Sequence, residues 1–266
     1  MKNYKLLSTY FIVLISFVIF DTFAQDYRTI RVNGTILLEK ENKPLETGTI
    51  FEEQDALLFK SYNSIATVIN PQRGRFLIRP DNVDLAYAKA SFTPAMSNIS
   101  ARSGTFFTAL DIKNQLNGKY VLFDKTFIVI HPELFRMNEG RFFFIRYQYN
   151  EETINKKLSF RQDTLIIDRS EVYSIDGKSI DINEIDAMEL WYMEQDKGNK
   201  ITLLSSFEPI AIDNKQLKQE VSIIFDTYRH RPENDKINEA LSYINEFYGN
   251  VNRDNFEYWL YTNLNR

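Results

Sequence analysis

Two hydrophobic periods divide this chain. From residue 213 onward, apolar residues return every three or four positions. Leu217, Val221, Ile224, Phe225 and Tyr228 form a first set, and Ile237, Leu241, Ile244 and Tyr248 a second. Phe256, Trp259, Leu260 and Leu264 form a third. Each set falls on one side of a helix, so three helices are predicted at the end of the chain. Asp213 with Gln216 three residues on has the pattern of a capping box. The second helix is expected after Pro232 with Gly249 as its stop, and the third near Asp254.

Upstream the apolar residues come in short runs, many of them alternating. "ALLFK", "SIATVI" and "RFLIRP" lie within 27–80, the last two joined by Asn70-Pro71-Gln72-Arg73-Gly74. "KYVLFDKTFIVI", "RFFFIRYQY", "KKLSF", "DTLIID", "EVYSI", "AMELWYM" and "KITLLSS" follow between 119 and 206. All read as strands. Asn33-Gly34 signals a tight turn or bulge, and Asp176-Gly177 a two-residue hairpin, because Asn, Asp and Gly tolerate positive φ. "TFFTALDIKNQLNG", residues 105–118, is expected to form a short helix ending at Gly118. "SFTPAMSNISARSG", residues 91–104, shows no period and is rich in Ser, Asn, Pro and Gly, as a linker is. The expected fold class is α+β. A small β barrel or sandwich occupies 25–92, a linker 93–103, and a β-rich domain ending in three helices 104–266.

The first 24 residues follow neither period. Lys2 and Lys5 precede an apolar run from Leu6 to Phe20, interrupted only by Ser8, Thr9 and Ser16. A spanning helix needs roughly 20 apolar residues, and Asp21 closes this run short of that. Thr22-Phe23-Ala24 places small residues three apart, as a signal peptidase requires. A secretory signal peptide over 1–24 is expected, with no transmembrane segment after cleavage and a periplasmic or cell-surface destination.

Composition then narrows the chemistry. Removing the signal leaves 242 residues with 30 cationic against 35 acidic side chains, a balance that disfavours nucleic acid. There is no Cys, so no disulfide forms and the core must supply the stability. The nine glycines are nowhere closer than 14 residues, which rules out a Walker loop and a dinucleotide fingerprint. His131 and His230 are the only histidines, and no HExxH, GxSxG or SxxK spacing occurs. No metal, cofactor or catalytic residue is assigned. Carboxylate chemistry is the broad enzymatic class left open, because two acids facing each other suffice for glycoside hydrolysis.

Candidate binding residues come from strand alternation. In "AMELWYM", Glu189 and Trp191 share one face and Met188, Leu190 and Tyr192 the other, so an acid stands beside an aromatic platform. In "RFFFIRYQY", Phe143, Ile145, Tyr147 and Tyr149 share a face opposite Phe142, Phe144, Arg146 and Gln148. Tyr147 and Tyr149 are expected as a stacking surface for glycan or peptide. Tyr258 and Tyr261, on one edge of the last helix, are candidates for a partner surface.

The run "LETGTIFEEQDALLFKSYNSIATVINPQRGRFLI" resembles the FecR-type and related SH3-like modules of bacterial envelope proteins. The residues that carry the likeness are Gly48, Asp55, Ser64 and Gly74. The basic turn Gln72-Arg73-Gly74-Arg75 and the lack of a FecR-like anchor depart from that pattern. The resemblance implies a binding or sensing module. The expected function is therefore an exported, non-enzymatic binding protein of the bacterial envelope, whose partner is an envelope protein or glycan. The alternatives are a carboxylate-dependent glycan hydrolase and a structural subunit of a secretion or surface machine.

Overall fold

A computed structural model of the chain describes residues 26–96 and 104–264. The expected signal peptide and residues 97–103 of the expected linker lie outside the described residues. The chain divides into two compact units between Phe92 and Thr93.

The first unit carries two open sheets. One has the order β4-β1-β6-β7-β8, built from β1 (Asp26–Asn33), β4 (Ile50–Glu52), β6 (Ile65–Asn70), β7 (Gly74–Pro80) and β8 (Ala90–Pro94). The other has the order β3-β2-β5, from β2 (Ile36–Leu38), β3 (Lys43–Pro44) and β5 (Leu57–Phe59). No barrel closes among the described residues. Tyr27, Phe51, Val68 and Phe76 from the first sheet meet Ile36, Leu38 and Phe59 from the second in one core. Asn33-Gly34 does not join two paired strands: β1 and β2 belong to different sheets, and Gly34 turns the corner at φ +82°. A Cβ there would lie 2.6 Å from Ser64 Oγ, so only glycine lets the chain pass this close. The β6–β7 turn is tied by Asn70, whose Oδ1 accepts from the amides of Gln72 and Arg73 at 2.9 Å each.

The second unit is α+β. Its five-stranded sheet runs β12-β11-β17-β18-β9, with β9 (Gly118–Leu122), β11 (Arg141–Tyr149), β12 (Glu152–Lys157), β17 (Met188–Glu194) and β18 (Lys200–Ala211). Only the β18–β9 pair within it is parallel. A three-stranded sheet, β10-β14-β13, uses β10 (Lys125–Val129), β13 (Ser159–Arg161) and β14 (Thr164–Asp168). The single run read as "KYVLFDKTFIVI" is thus two strands in two sheets, with Asp124 at the corner. The run "KKLSF" likewise ends β12 and begins β13, with buried Leu158 between them. β15 (Ser174–Ile175) and β16 (Lys178–Ser179) form the Asp176-Gly177 hairpin, both turn residues having positive φ.

Helix α1 (Ala109–Gln115) starts at a capping box between Thr108 and Asp111 and ends at Leu116, so Gly118 opens β9 instead of closing the helix. A short helix, α2 (Arg169–Val172), takes in the Glu171 and Val172 that were expected in a strand. The last three helices are α3 (Asn214–Thr227), α4 (Glu233–Phe247) and α5 (Arg253–Leu264). Asp213 caps α3 by accepting from the amides of Lys215 and Gln216 at 2.8 and 3.0 Å. Gln216 does not reach back to complete the box; its Nε2 donates to Glu220 Oε1 at 3.0 Å. Among the described residues no helix is long and apolar enough to cross a membrane.

These helices also cover strand edges, which otherwise expose unpaired backbone groups. Between α4 and α5, the Asn250 amide donates to Lys119 O at 2.7 Å, and the Val121 amide donates to Asn250 O at 2.9 Å. That pairing extends β9 and demands close approach: a Cβ on Gly249 would lie 2.5 Å from Lys119 O. From α5, the buried Asn255 side chain pairs with both backbone groups of Phe127 in β10. Its Oδ1 accepts from the amide at 2.7 Å, and its Nδ2 donates to the carbonyl at 2.8 Å.

Candidate functional site

Strands β11 and β17 lie side by side in strict register, and their two faces differ in chemistry. Phe143, Ile145 and Tyr147 of β11 and Met188, Leu190 and Tyr192 of β17 point into the core of the second unit. There they meet Ile128, Leu165 and Ile167 of the other sheet and Ile112 of α1. Tyr147 is buried, and its hydroxyl donates to Val172 O at 2.7 Å. Burial pushes its pKa up to about 12. Tyr149 packs against the same core and its pKa is raised, first by burial and then by Glu184. The structure therefore does not make a ligand-stacking surface of Tyr147 and Tyr149. Both share a face, as alternation predicts, but it is the inward one.

The opposite face, turned away from that core, carries Phe142, Phe144 and Arg146 on β11 and Glu189, Trp191 and Met193 on β17. Lys157 and Asn155 of β12 stand across from Phe144 and Arg146. On the other side β18 contributes Ile201 and Leu203, which are 42 % and 47 % exposed. A bulge puts them there. Leu190 pairs with Ser205 but Trp191 pairs with Leu203, so β18 has one extra residue, Leu204, at this point. Strict alternation from buried Phe207 would send Leu203 and Ile201 inward. The extra residue reverses the pattern, so Leu204 and Ser205 are both buried and Leu203 and Ile201 face out.

Within this face the polar groups are held in place. Trp191 Nε1 donates to Glu189 Oε2 at 2.8 Å. The rings of Phe144 and Trp191 are stacked, 12° from parallel. The Arg146 guanidinium lies over both, 4.7 Å from the Trp191 centroid and 5.5 Å from that of Phe144. Arg146 Nε donates to Asn155 Oδ1 at 2.8 Å. The Lys157 ammonium stands 4.2 Å from the centroid of Phe142. Glu189 and Trp191 are thus together on one face, as the sequence indicates. The linear pattern does not single out Arg146, Lys157, Ile201 and Leu203. Their signal was partly visible, since Arg146 alternates with Phe142 and Phe144, but nothing local marks the bulge in β18.

A second feature is a cleft of about 630 Å³ where β9 passes to β10 and β14 passes to α2. Four of its charged groups form two ion pairs. Arg169 meets Asp124 at 3.4 Å, and Lys125 meets Asp168 at 3.3 Å. Asn214 Nδ2 also donates to Asp124 Oδ2 at 2.8 Å. Burial would push the Asp168 carboxyl up, but the Ser170 hydroxyl and amide and Lys125 together hold it below the usual carboxylate range. An acid kept ionised in this way is the opposite of the raised general acid that glycoside hydrolysis needs.

The remaining candidates lie elsewhere. Tyr258 and Tyr261 on α5 are 45 % and 70 % exposed, with Tyr258 edge-on to Phe127 at 5.0 Å. His131 packs beside Phe107, and its Nδ1 accepts from the Glu133 amide at 3.4 Å. His230 Nε2 accepts from Arg229 Nε at 3.0 Å. Among the described residues no three His, Asp or Glu side chains converge as metal ligands. The chain matches no protein-family model, no curated protein and no solved structure.

Proposed function

We propose that this chain is an exported, non-enzymatic binding protein of the bacterial envelope, and that it takes a protein partner on the outer face of its central sheet. One observation carries the reading: the β18 bulge turns Ile201 and Leu203 outward beside Phe142, Trp191 and Met193. A half-exposed antiparallel sheet ordinarily presents polar side chains to water, and a contiguous apolar patch marks a contact surface. Export rests on the signal-like pattern of residues 1–24. Residues 25–92, read as a small SH3-like barrel or sandwich of the FecR type, are consistent with binding or sensing.

The hydrolase reading gains little from the geometry. Glu189 is engaged by the Trp191 indole, Trp191 is overlaid by Arg146, and Asp168 is held ionised.

Capture from envelope extracts of the producing bacterium tests the proposal. The wild-type chain should recover one envelope protein repeatedly. Leu203→Asp, which places a charge on the apolar strip, should cut recovery by about tenfold or more, since ~1.4 kcal/mol is a factor of ten in affinity. Tyr261→Ser, on α5, should leave it intact. Equal recovery by wild type and Leu203→Asp would remove the face from consideration.

A further inference from the structure

We infer that the partner presents a carboxylate from an extended, aliphatic-rich segment, and that Arg146 receives it. This rests on the outer sheet face being the binding surface. Arg146 and Glu189 are directly opposite each other on β11 and β17, where an opposite-charge pair would be expected to meet. They form no ion pair among the described residues. Glu189 is drawn instead to the Trp191 indole, and Arg146 is fixed from two other directions. Asn155 takes its Nε–H, and the Phe144–Trp191 ring pair supports its plane.

The two Nη groups of Arg146 make no hydrogen bond to any described residue. A planar guanidinium with its position set and its terminal donors open is a receptor for a planar, two-oxygen anion. Its order is supplied by the protein beforehand, which lowers the entropy cost of binding. Lys157 lies diagonally across the strand pair, next to Asn155 and opposite Phe144, and likewise has no ion-pair partner among the described residues. Two neighbouring cations, neither in an ion pair among the described residues, stand on a chain that is acidic overall. Charge complementarity therefore calls for an anionic partner at this spot.

The setting selects the kind of anion. Met193, Ile201 and Leu203 continue the face beyond Trp191, so the occupant must bring apolar side chains as well as negative charge. A segment alternating acid with aliphatic does both. An anionic membrane surface is recognised by clusters of four to eight basic residues, whereas this face offers two cations with the Glu189 carboxylate on β17 opposite Arg146.

Binding of short peptides to the full chain tests the inference, read by NMR at the Trp191 Nε1–H and Arg146 Nε–H resonances. Acetyl-Leu-Glu-Leu-Glu-Leu-amide should bind about tenfold more tightly than the matching Gln peptide, as a charge-assisted bidentate contact implies. Arg146→Gln should abolish that preference. Arg146→Lys, which keeps the charge but not the two-donor plane, should restore only part of it. Lys157→Gln should reduce it less.

Equal affinity for the Glu and Gln peptides, or no binding of either up to millimolar concentration, would overturn the carboxylate while leaving capture by the face intact. Binding that survives Leu203→Asp unchanged would instead remove the face itself. Arg146-dependent binding to phosphatidylglycerol vesicles, with no response to the Glu peptide, would replace the peptide segment by a lipid surface. Concentration-dependent dimerisation abolished by Arg146→Gln would replace it by a second copy of this chain.

Discussion

The two faces of β11 and β17 come from alternate residues of the same nine- and seven-residue strands, yet they do opposite things. Inward, Phe143, Ile145, Tyr147, Leu190 and Tyr192 are buried against a second sheet, and the hydroxyls of Tyr147 and Tyr192 donate to Val172 O and Arg136 O. Outward, Phe142, Trp191, Met193, Ile201 and Leu203 remain partly or largely open, and the Arg146 Nη groups make no hydrogen bond to a described residue. Aromatic density does not separate the two. Saturation does: the inner face has its contacts and hydrogen bonds made within the unit, and the outer face has them made only in part.

Substitutions on the two faces should therefore differ in kind, and the inner ones should be largest. Leu190→Ala, at a fully buried position, should lower unfolding free energy by about 2–5 kcal/mol, through lost transfer energy and the cavity left behind. Urea denaturation checks it, and a loss below 1 kcal/mol would mean that the two sheets do not share a tight core. Asn255→Leu should come close behind, at about 2–4 kcal/mol, because it strands both backbone groups of Phe127 at the β10 edge. Amide exchange at Phe127 should accelerate in that variant.

The inner face should also be sensitive to base. Tyr147 has its pKa pushed up to about 12 by burial, and Tyr120 and Tyr173 are raised by burial as well. A raised pKa means that the folded state holds the proton more tightly than the unfolded chain, whose tyrosines titrate near 10. The resulting stability is complete below pH 10 and is lost as pH rises toward 12. Tyr147→Phe should remove part of that loss and cost about 1 kcal/mol at neutral pH through the hydrogen bond to Val172. Absorbance titration of phenolate alongside circular dichroism would test it. Ionisation of all tyrosines near pH 10 with the fold intact would contradict the burial account.

Outer-face changes should register in binding and barely in stability. Arg146→Gln should destabilise by no more than about 1 kcal/mol, the size of a cation–π contact at an accessible site. Leu203→Ser should stay within about 0.5 kcal/mol of wild type. A large destabilisation by Leu203→Ser would mean that the strip serves the protein's own fold.

Much of this was legible in the chain. The three terminal helices declare themselves through their 3.6-residue period, and Glu189 and Trp191 through alternation. The α+β class follows from the two together. Alternation also assigns Tyr147 and Phe144 to opposite faces, but it cannot say which face is inside. That depends on β10 and β14, which pack across the core and are remote in sequence from β11. The corner at Asp124, which sends one apolar run into two sheets, is equally a tertiary choice. So is the β18 bulge: Leu203, Leu204 and Ser205 carry no glycine or proline to announce it, and it is visible only in the pairing of β18 with β17. The bulge adds Ile201 and Leu203 to the outer face of Glu189 and Trp191, while packing of β10 and β14 turns Tyr147 and Tyr149 inward; neither is local in sequence.

The central claim is that a partner docks on the outer face, and site-specific photo-crosslinking in the producing cells addresses it most directly. A photoreactive residue at position 203 should give a discrete cross-linked species with an envelope protein. The same residue at position 261, more exposed on α5, should not. Cross-links from position 261 with none from position 203 would contradict the account and move the interface to α5.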